Sequence, residues 1–183
     1  MTKLTDLSDV QRAKAGDIQA FAAIVNRYQR MVLTLVVKII ENREDAEDIT
    51  QEIFIKVFKS LEQFKEESEF STWLYRIAYN TTLSEIRKRK LVFASYDSNY
   101  SDVNEEITDE IDGVETEERL RYLDKALKLL PPDETLLITL FYLNDQTIDE
   151  ISKITNFSVS NVKVKLHRIR KKLAVEINNL MKQ

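Results

Sequence analysis

The chain has 183 residues, 43% of them hydrophobic, enough for one medium domain or two small ones with packed cores. It has no Cys and a single His, His167, so disulfides, thiolate zinc sites and His-based metal clusters or catalytic triads cannot be built from this chain alone. The net charge of −4 hides a division: residues 91–118 hold ten Asp or Glu and no Lys or Arg, while residues 119–183 hold twelve cations against seven anions.

Two Gly and two Pro argue against an all-β chain full of tight turns and for helices. The first residues, MTKLTDLSDV, are polar and carry no apolar signal-peptide stretch. GDIQAFAAIVNRYQRMVLTLVVKII then places Phe21, Ile24, Val25, Tyr28, Val32, Leu35 and Ile39 mostly three or four apart, the period of one helix face. Its most apolar run contains Lys38 and is about ten residues long, short of the ~20 that span a bilayer, so no membrane insertion is expected. A reducing cytoplasm fits the missing Cys.

NREDAEDITQEIFIKVFKSLEQF opens with acids, which suit the positive end of a helix. Its inward face is predicted to be Ile49, Ile53, Val57 and Leu61. Capping and the helix dipole account for Asp45 and Glu47. They do not account for Gln51, Glu52 and Ile55, a mixed polar and apolar patch that suits a protein partner.

A polar loop, EQFKEESEF, leads into FSTWLYRIAYN and, ten residues on, IRKRK. One helix thus starts with Phe70, Trp73, Tyr75 and Tyr79 and ends on four consecutive cations at 87–90. Leu74, Ile77 and Ala78 are predicted to face the core, with Trp73, Arg76 and Asn80 on an adjoining face. Rings beside cations are what single-stranded nucleic acid binds, because bases stack on rings and cations track phosphates. Asn80 can make paired hydrogen bonds to a base edge, and IRKRK can take phosphates. A bundle of three or four helices over residues 1–93 is the economical arrangement. The acidic stretch that follows, 94–118, has no sustained period and reads as a solvated linker or a docked strap.

The block 119–183 opens with an amphipathic helix, LRYLDKALKLL, stopped by Pro131 and Pro132. DETLLITLFYL is a second helix. Thr147 with Glu150 fits a capping box, and Ile148, Ile151 and Ile154 give the next, short helix one apolar face. Thr155, Asn156 and Phe157 break it, and Ser158 can cap a longer helix burying Val159, Val162, Leu166, Ile169 and Leu173. Lys163, Lys165, His167, Arg168, Arg170, Lys171 and Lys172 fall mainly elsewhere on that helix. A short helix, a three-residue turn and a basic helix form a helix-turn-helix pattern, whose second helix fits the major groove.

The residues alone leave three function classes open. A factor that binds single-stranded and duplex nucleic acid alongside a protein partner uses both nucleic-acid surfaces and the Gln51 patch. A free-standing operator-binding regulator uses only the last block. A metal-dependent nuclease needs clustered acids, and those at 45–52 have no second constellation to complete a site.

DAEDITQEIFIKVFKSLEQFKEESEFSTWLYRIAYNTTLSEIRKRK resembles the second conserved region of bacterial sigma factors, and LPPDETLLITLFYLNDQTIDEISKITNFSVSNVKVKLHRIRKKL resembles their fourth. The short chain with no domain between them is similar to the extracytoplasmic-function group of the sigma-70 family. The resemblance implies an all-α fold: region 2 over 1–93, a linker over 94–118 and region 4 over 119–183. It implies a non-enzymatic, cytoplasmic factor without cofactor or metal. Its partners would be core RNA polymerase, promoter DNA and an anti-sigma factor. Asp48, Gln51, Glu52 and Ile55 would meet the clamp helices of the largest polymerase subunit. Phe64, Lys65 and Ser68 of the loop, with Trp73, Arg76, Asn80, Arg87 and Lys88, would take the melted −10 element, Phe64 helping to hold a flipped base. Ser160, Asn161, Lys163, Val164, His167, Arg168 and Lys171 would lie on the duplex −35 element. The linker would thread toward the RNA exit path, its acids imitating nucleic acid. Related proteins often carry Arg where Phe141 stands, and Arg with a small polar residue at 163 and 164. The −35 sequence read here is therefore expected to differ from the commonest one. Ser158, Ser160 and Asn161 replace a more usual Gly-containing turn.

Overall fold

A computed structural model describes the backbone of residues 2–92 and 116–182, with side chains over 6–89 and 121–182. The described elements are α1 (Thr2–Lys14), α2 (Ile18–Val37), α3 (Arg43–Ser60), a single 3-10 turn (Leu61–Gln63), α4 (Phe70–Val92), α5 (Thr116–Leu129), α6 (Pro132–Tyr142), α7 (Ile148–Thr155) and α8 (Val159–Met181). The fold is all-α. Most of the acidic stretch, residues 93–115, lies outside the described residues.

Local chemistry sets the helix ends. Gly16, at φ 93°, turns the chain out of α1 in a left-handed conformation that favours glycine. Asp17 then caps α2 by accepting from the backbone N–H groups of Gln19 and Ala20. Asn42 caps α3 in the same way, from Glu44 and Asp45. Thr147 and Glu150 form the anticipated reciprocal capping box on α7. Asn156, at φ 63°, ends α7, and Ser158 caps α8 through the Asn161 N–H at 3.2 Å.

Helix α1 was not legible as an element, because its residues are mostly polar. Val10 and Ala13 are buried, but ionic contacts hold much of the rest. Asp6 and Asp9, both buried, pair with the Arg27 guanidinium, and the Tyr28 hydroxyl donates to Asp6 at 2.6 Å. The Asp9 hydrogen bond leads in raising the Arg27 pKa, and burial leads in raising that of Tyr28. Buried charges need this degree of pairing, since an unpaired one costs several kcal/mol (about 3–5).

The four helices α1–α4 make the bundle anticipated for the first block. Tyr28, Val32, Leu35, Ile53, Val57 and Leu74 fill its centre. In the second block α6 is buried along one continuous stretch, Thr135 through Leu140; α7 and α8 pack against it, and α5 packs on α8. The two blocks also touch. Helix α4 packs against α7 and α6, and the buried side chains of both blocks run together. Asn144 Nδ2 donates to the hydroxyl of fully buried Tyr75 at 2.8 Å and to the Met31 carbonyl at 3.2 Å. Lys38 pairs with Asp124 at 2.9 Å.

Candidate nucleic-acid interface

On α8, Val162, Leu166, Ile169 and Leu173 are buried, which turns the opposite face outward. Ser160, Asn161, Lys163, Val164, His167, Arg168 and Lys171 are all exposed. Positions 160, 164, 168 and 171, with 163 and 167 beside them, make one stripe along the helix. Other cations of α8 are engaged within the protein. Lys165 stands over the Phe157 ring at 5.1 Å, Arg170 lies 5.7 Å from both the Phe141 and Tyr142 rings, and Lys172 pairs with Glu134 at 2.7 Å. The expected burial of Val159 is corrected, since it is 37% exposed. A helical side chain leans toward the N-terminus, and the first residue of a helix has no earlier turn to lean on.

At the start of α4 the aromatics mostly face inward. Phe70, Tyr75 and Tyr79 are buried, and burial pushes the Tyr75 and Tyr79 hydroxyls up to about 12. Trp73 is half-buried against Phe64 and Phe70, with ring centres 5.2 and 5.8 Å away. Phe64, expected to help hold a flipped base, is only 4% exposed in this structure, and its ring packs on Phe70 and Trp73. The loop it opens, residues 64–69, leaves Lys65, Glu66 and Glu67 exposed, with Ser68 half-buried and Glu66 at φ 61°. Arg76 and Asn80 are exposed one turn apart, and Arg87 and Lys88 are exposed further along. Lys88 pairs with Glu85 at 2.5 Å and Arg89 with Asp45 at 2.7 Å. Asp45 thus ties α3 to α4, a role that its position near a helix start did not reveal.

On α3, Asp48, Gln51 and Ile55 are exposed, while Glu52 is half-buried and pairs with Lys56 at 2.7 Å. Ile55 is 52% exposed. Phe58, which the sequence reading passed over, is 51% exposed and sits edge-on to Phe21 at 4.9 Å. Its signal was there, one turn beyond Ile55 and off the stripe of Ile53 and Val57. Together these residues make a patch with an apolar end and an acidic end, of the kind a protein partner covers. Among the described residues, no group of three or more His, Asp or Glu could hold a metal ion, and no helix is long and apolar enough to cross a membrane.

The family model of sigma-70 region 2 matches residues 24–92, and that of sigma-70 region 4 matches residues 120–173. The chain is 34% identical over 186 residues to the ECF RNA polymerase sigma factor SigW of Bacillus subtilis, covering 93% of this chain and 96% of the relative. It is 34% identical over 189 residues to the ECF RNA polymerase sigma-E factor of Haemophilus influenzae, covering 98% of each. Among solved structures, CnrH in complex with the cytosolic domain of CnrY shares the fold at a TM-score of 0.71 and 20% identity, covering 96% of this chain and 98% of that one. RpoE of Bartonella quintana in complex with the anti-sigma factor NepR shares it at 0.67 and 19%, covering 88% and 98%. The chain belongs to the sigma-70 family of bacterial RNA polymerase sigma factors, in its extracytoplasmic-function group.

Proposed function

We propose a division of labour among three surfaces of this sigma factor. Asp48, Gln51, Glu52 and Ile55, with Phe58 beside them, dock on the clamp helices of core RNA polymerase. The 64–69 loop, with Trp73, Arg76, Asn80, Arg87 and Lys88, receives the non-template strand of the −10 element. The exposed stripe of α8 lies in the major groove of the −35 element. The observation that carries this reading is the stripe itself: Lys163, His167, Arg168 and Lys171 are exposed together on one helix face, set by a capped helix-turn-helix. The protein catalyses no bond change. It works in the cytoplasm and lends recognition and local melting to the polymerase.

The loop's chemistry supports base capture rather than backbone contact. Glu66, Glu67 and Glu69 follow a single loop cation, Lys65. Carboxylates repel phosphates but accept hydrogen bonds from the amino groups of bases. The cations for phosphate lie at the far end of α4. The likeness of the fold to the sigma factor RpoE, solved with the anti-sigma factor NepR, supports an anti-sigma partner for this chain as well.

Binding of duplex promoter DNA, with and without core polymerase, tests the reading. Little specific binding by the protein alone and tight specific binding by the reconstituted holoenzyme are expected. Tight operator-like binding by the protein alone would favour a free-standing regulator.

A further inference from the structure

Lys14, the last residue of α1, reaches across to the loop that precedes α4. Its Nζ donates to the Phe64 carbonyl at 2.5 Å and stands 5.5 Å from the centre of the Phe64 ring. Both contacts use the ammonium: one is a charge-assisted hydrogen bond, the other a cation–π contact. Phe64 is where the 3-10 turn ends in extended backbone, and Glu66, two residues later, is left-handed without being glycine. A conformation of that kind persists only where its surroundings hold it. The hold is itself anchored. Helix α1 is fixed to α2 through Asp6, Asp9, Arg27 and Tyr28, and the Tyr28 ring lies 5.8 Å from that of Phe70. The loop is therefore gripped at its first residue by α1 and followed directly by α4. Lys14 lies outside the stretch matched to region 2, which begins at residue 24.

We propose that Lys14 is a positioning residue for −10 recognition: its ammonium fixes the backbone at Phe64, so that Lys65 and Ser68 meet the unstacked base in one geometry. This rests on the reading of the 64–69 loop as the base-capturing element. The test is open-complex formation by holoenzyme on promoters with each −10 base substituted in turn. It compares the wild type, Lys14→Met, Lys14→Arg and the loop variant Lys65→Ala with Ser68→Ala. A preference of about tenfold at one non-template position is expected to fall below about threefold in Lys14→Met and in the loop variant, each falling at the same position. Lys14→Arg, which keeps a cationic donor, is expected to retain it. Polymerase affinity of Lys14→Met is expected to match the wild type, and its helical circular dichroism to show the fold retained. If Lys14→Met keeps its full preference while the loop variant loses it, the role of Lys14 is overturned and the loop reading stands. If the loop variant keeps the preference, the loop reading falls and the proposal falls with it. An equal loss on all promoters in Lys14→Met would make Lys14 a general support of the fold and overturn the proposal.

Discussion

Arg168 and Lys171 stand less than one turn apart on the exposed face of α8, yet they are placed to do different work. Arg168 is nearer the N-terminal half of the helix, which enters a groove most deeply, and its planar fork can make two parallel hydrogen bonds to a guanine. With α8 in the groove as proposed, Lys171 would lie where the helix leaves the duplex. Arg168→Ala is expected to remove preference at one −35 base pair, a loss of about 1–3 kcal/mol in discrimination. Lys171→Ala should weaken every promoter alike and flatten the salt slope by roughly one. Holoenzyme binding to a set of −35 variants at several salt concentrations separates the two. A uniform loss in Arg168→Ala would place that side chain on the backbone. Phe64 carries a different expectation. Its ring is enclosed by Phe70, Trp73 and Lys14, so Phe64→Ala should destabilise the fold by about 3–5 kcal/mol in denaturant titration. A loss under about 1 kcal/mol would contradict its place in the core. The sequence hid this burial because EQFKEESEF is polar around it and carries no helical period.

At the scale of elements, the amphipathic helices were readable and the contacts made by irregular pieces were not. Helices α2, α3 and α8 showed their inward faces through spacing alone, and the α7 capping box was visible as Thr147 and Glu150. Helix α1 was missed because ion pairs to Arg27, rather than an apolar stripe, hold much of it, and a partner far along the chain leaves no local period. The inward turn of Tyr75 and Tyr79 was missed for a related reason: it depends on α6 and α7, which belong to the other block. The exposed part of α3 was readable as what remained once Ile49, Ile53 and Val57 were assigned inward. Changing that surface should spare the fold, since exposed substitutions shift stability by only about ±0.5 kcal/mol. Gln51→Ala with Glu52→Lys is therefore expected to keep the melting temperature and helical circular dichroism of the wild type while binding core polymerase far more weakly. The Glu52–Lys56 pair that it removes is surface-exposed and worth under about 1 kcal/mol. Undiminished polymerase affinity would remove α3 from the docking surface.

Across the whole molecule, the contact between the blocks is partly polar. Tyr75, Asn144 and the Met31 carbonyl meet in its interior, while Lys38 and Asp124 meet nearer the surface. Asn144 Oδ1, in this seam, and Gln146 Oε1 beside it are buried without a hydrogen bond from the described protein groups. The hydrogen bond from Lys38 leads in holding the Asp124 carboxyl below its usual value. A carboxylate depressed in this way contributes stability above the ordinary value of about 3.9 and loses it as pH falls through the lower folded value. Lys38→Met is accordingly expected to reduce stability by up to about 1 kcal/mol at neutral pH and to converge with the wild type in acid. A difference that stays constant with pH would trace the effect to packing of the lysine stem instead. This one chain is expected to give core polymerase its promoter choice through α4 and α8 together, and mapping the 5′ ends of transcripts made in vitro tests this most directly. Core polymerase with the wild-type protein is expected to start at sites sharing one −10 and one −35 motif, with Asn80→Ala relaxing a single position of the first and Arg168→Ala a single position of the second. Start sites no different from those of core polymerase alone would contradict it.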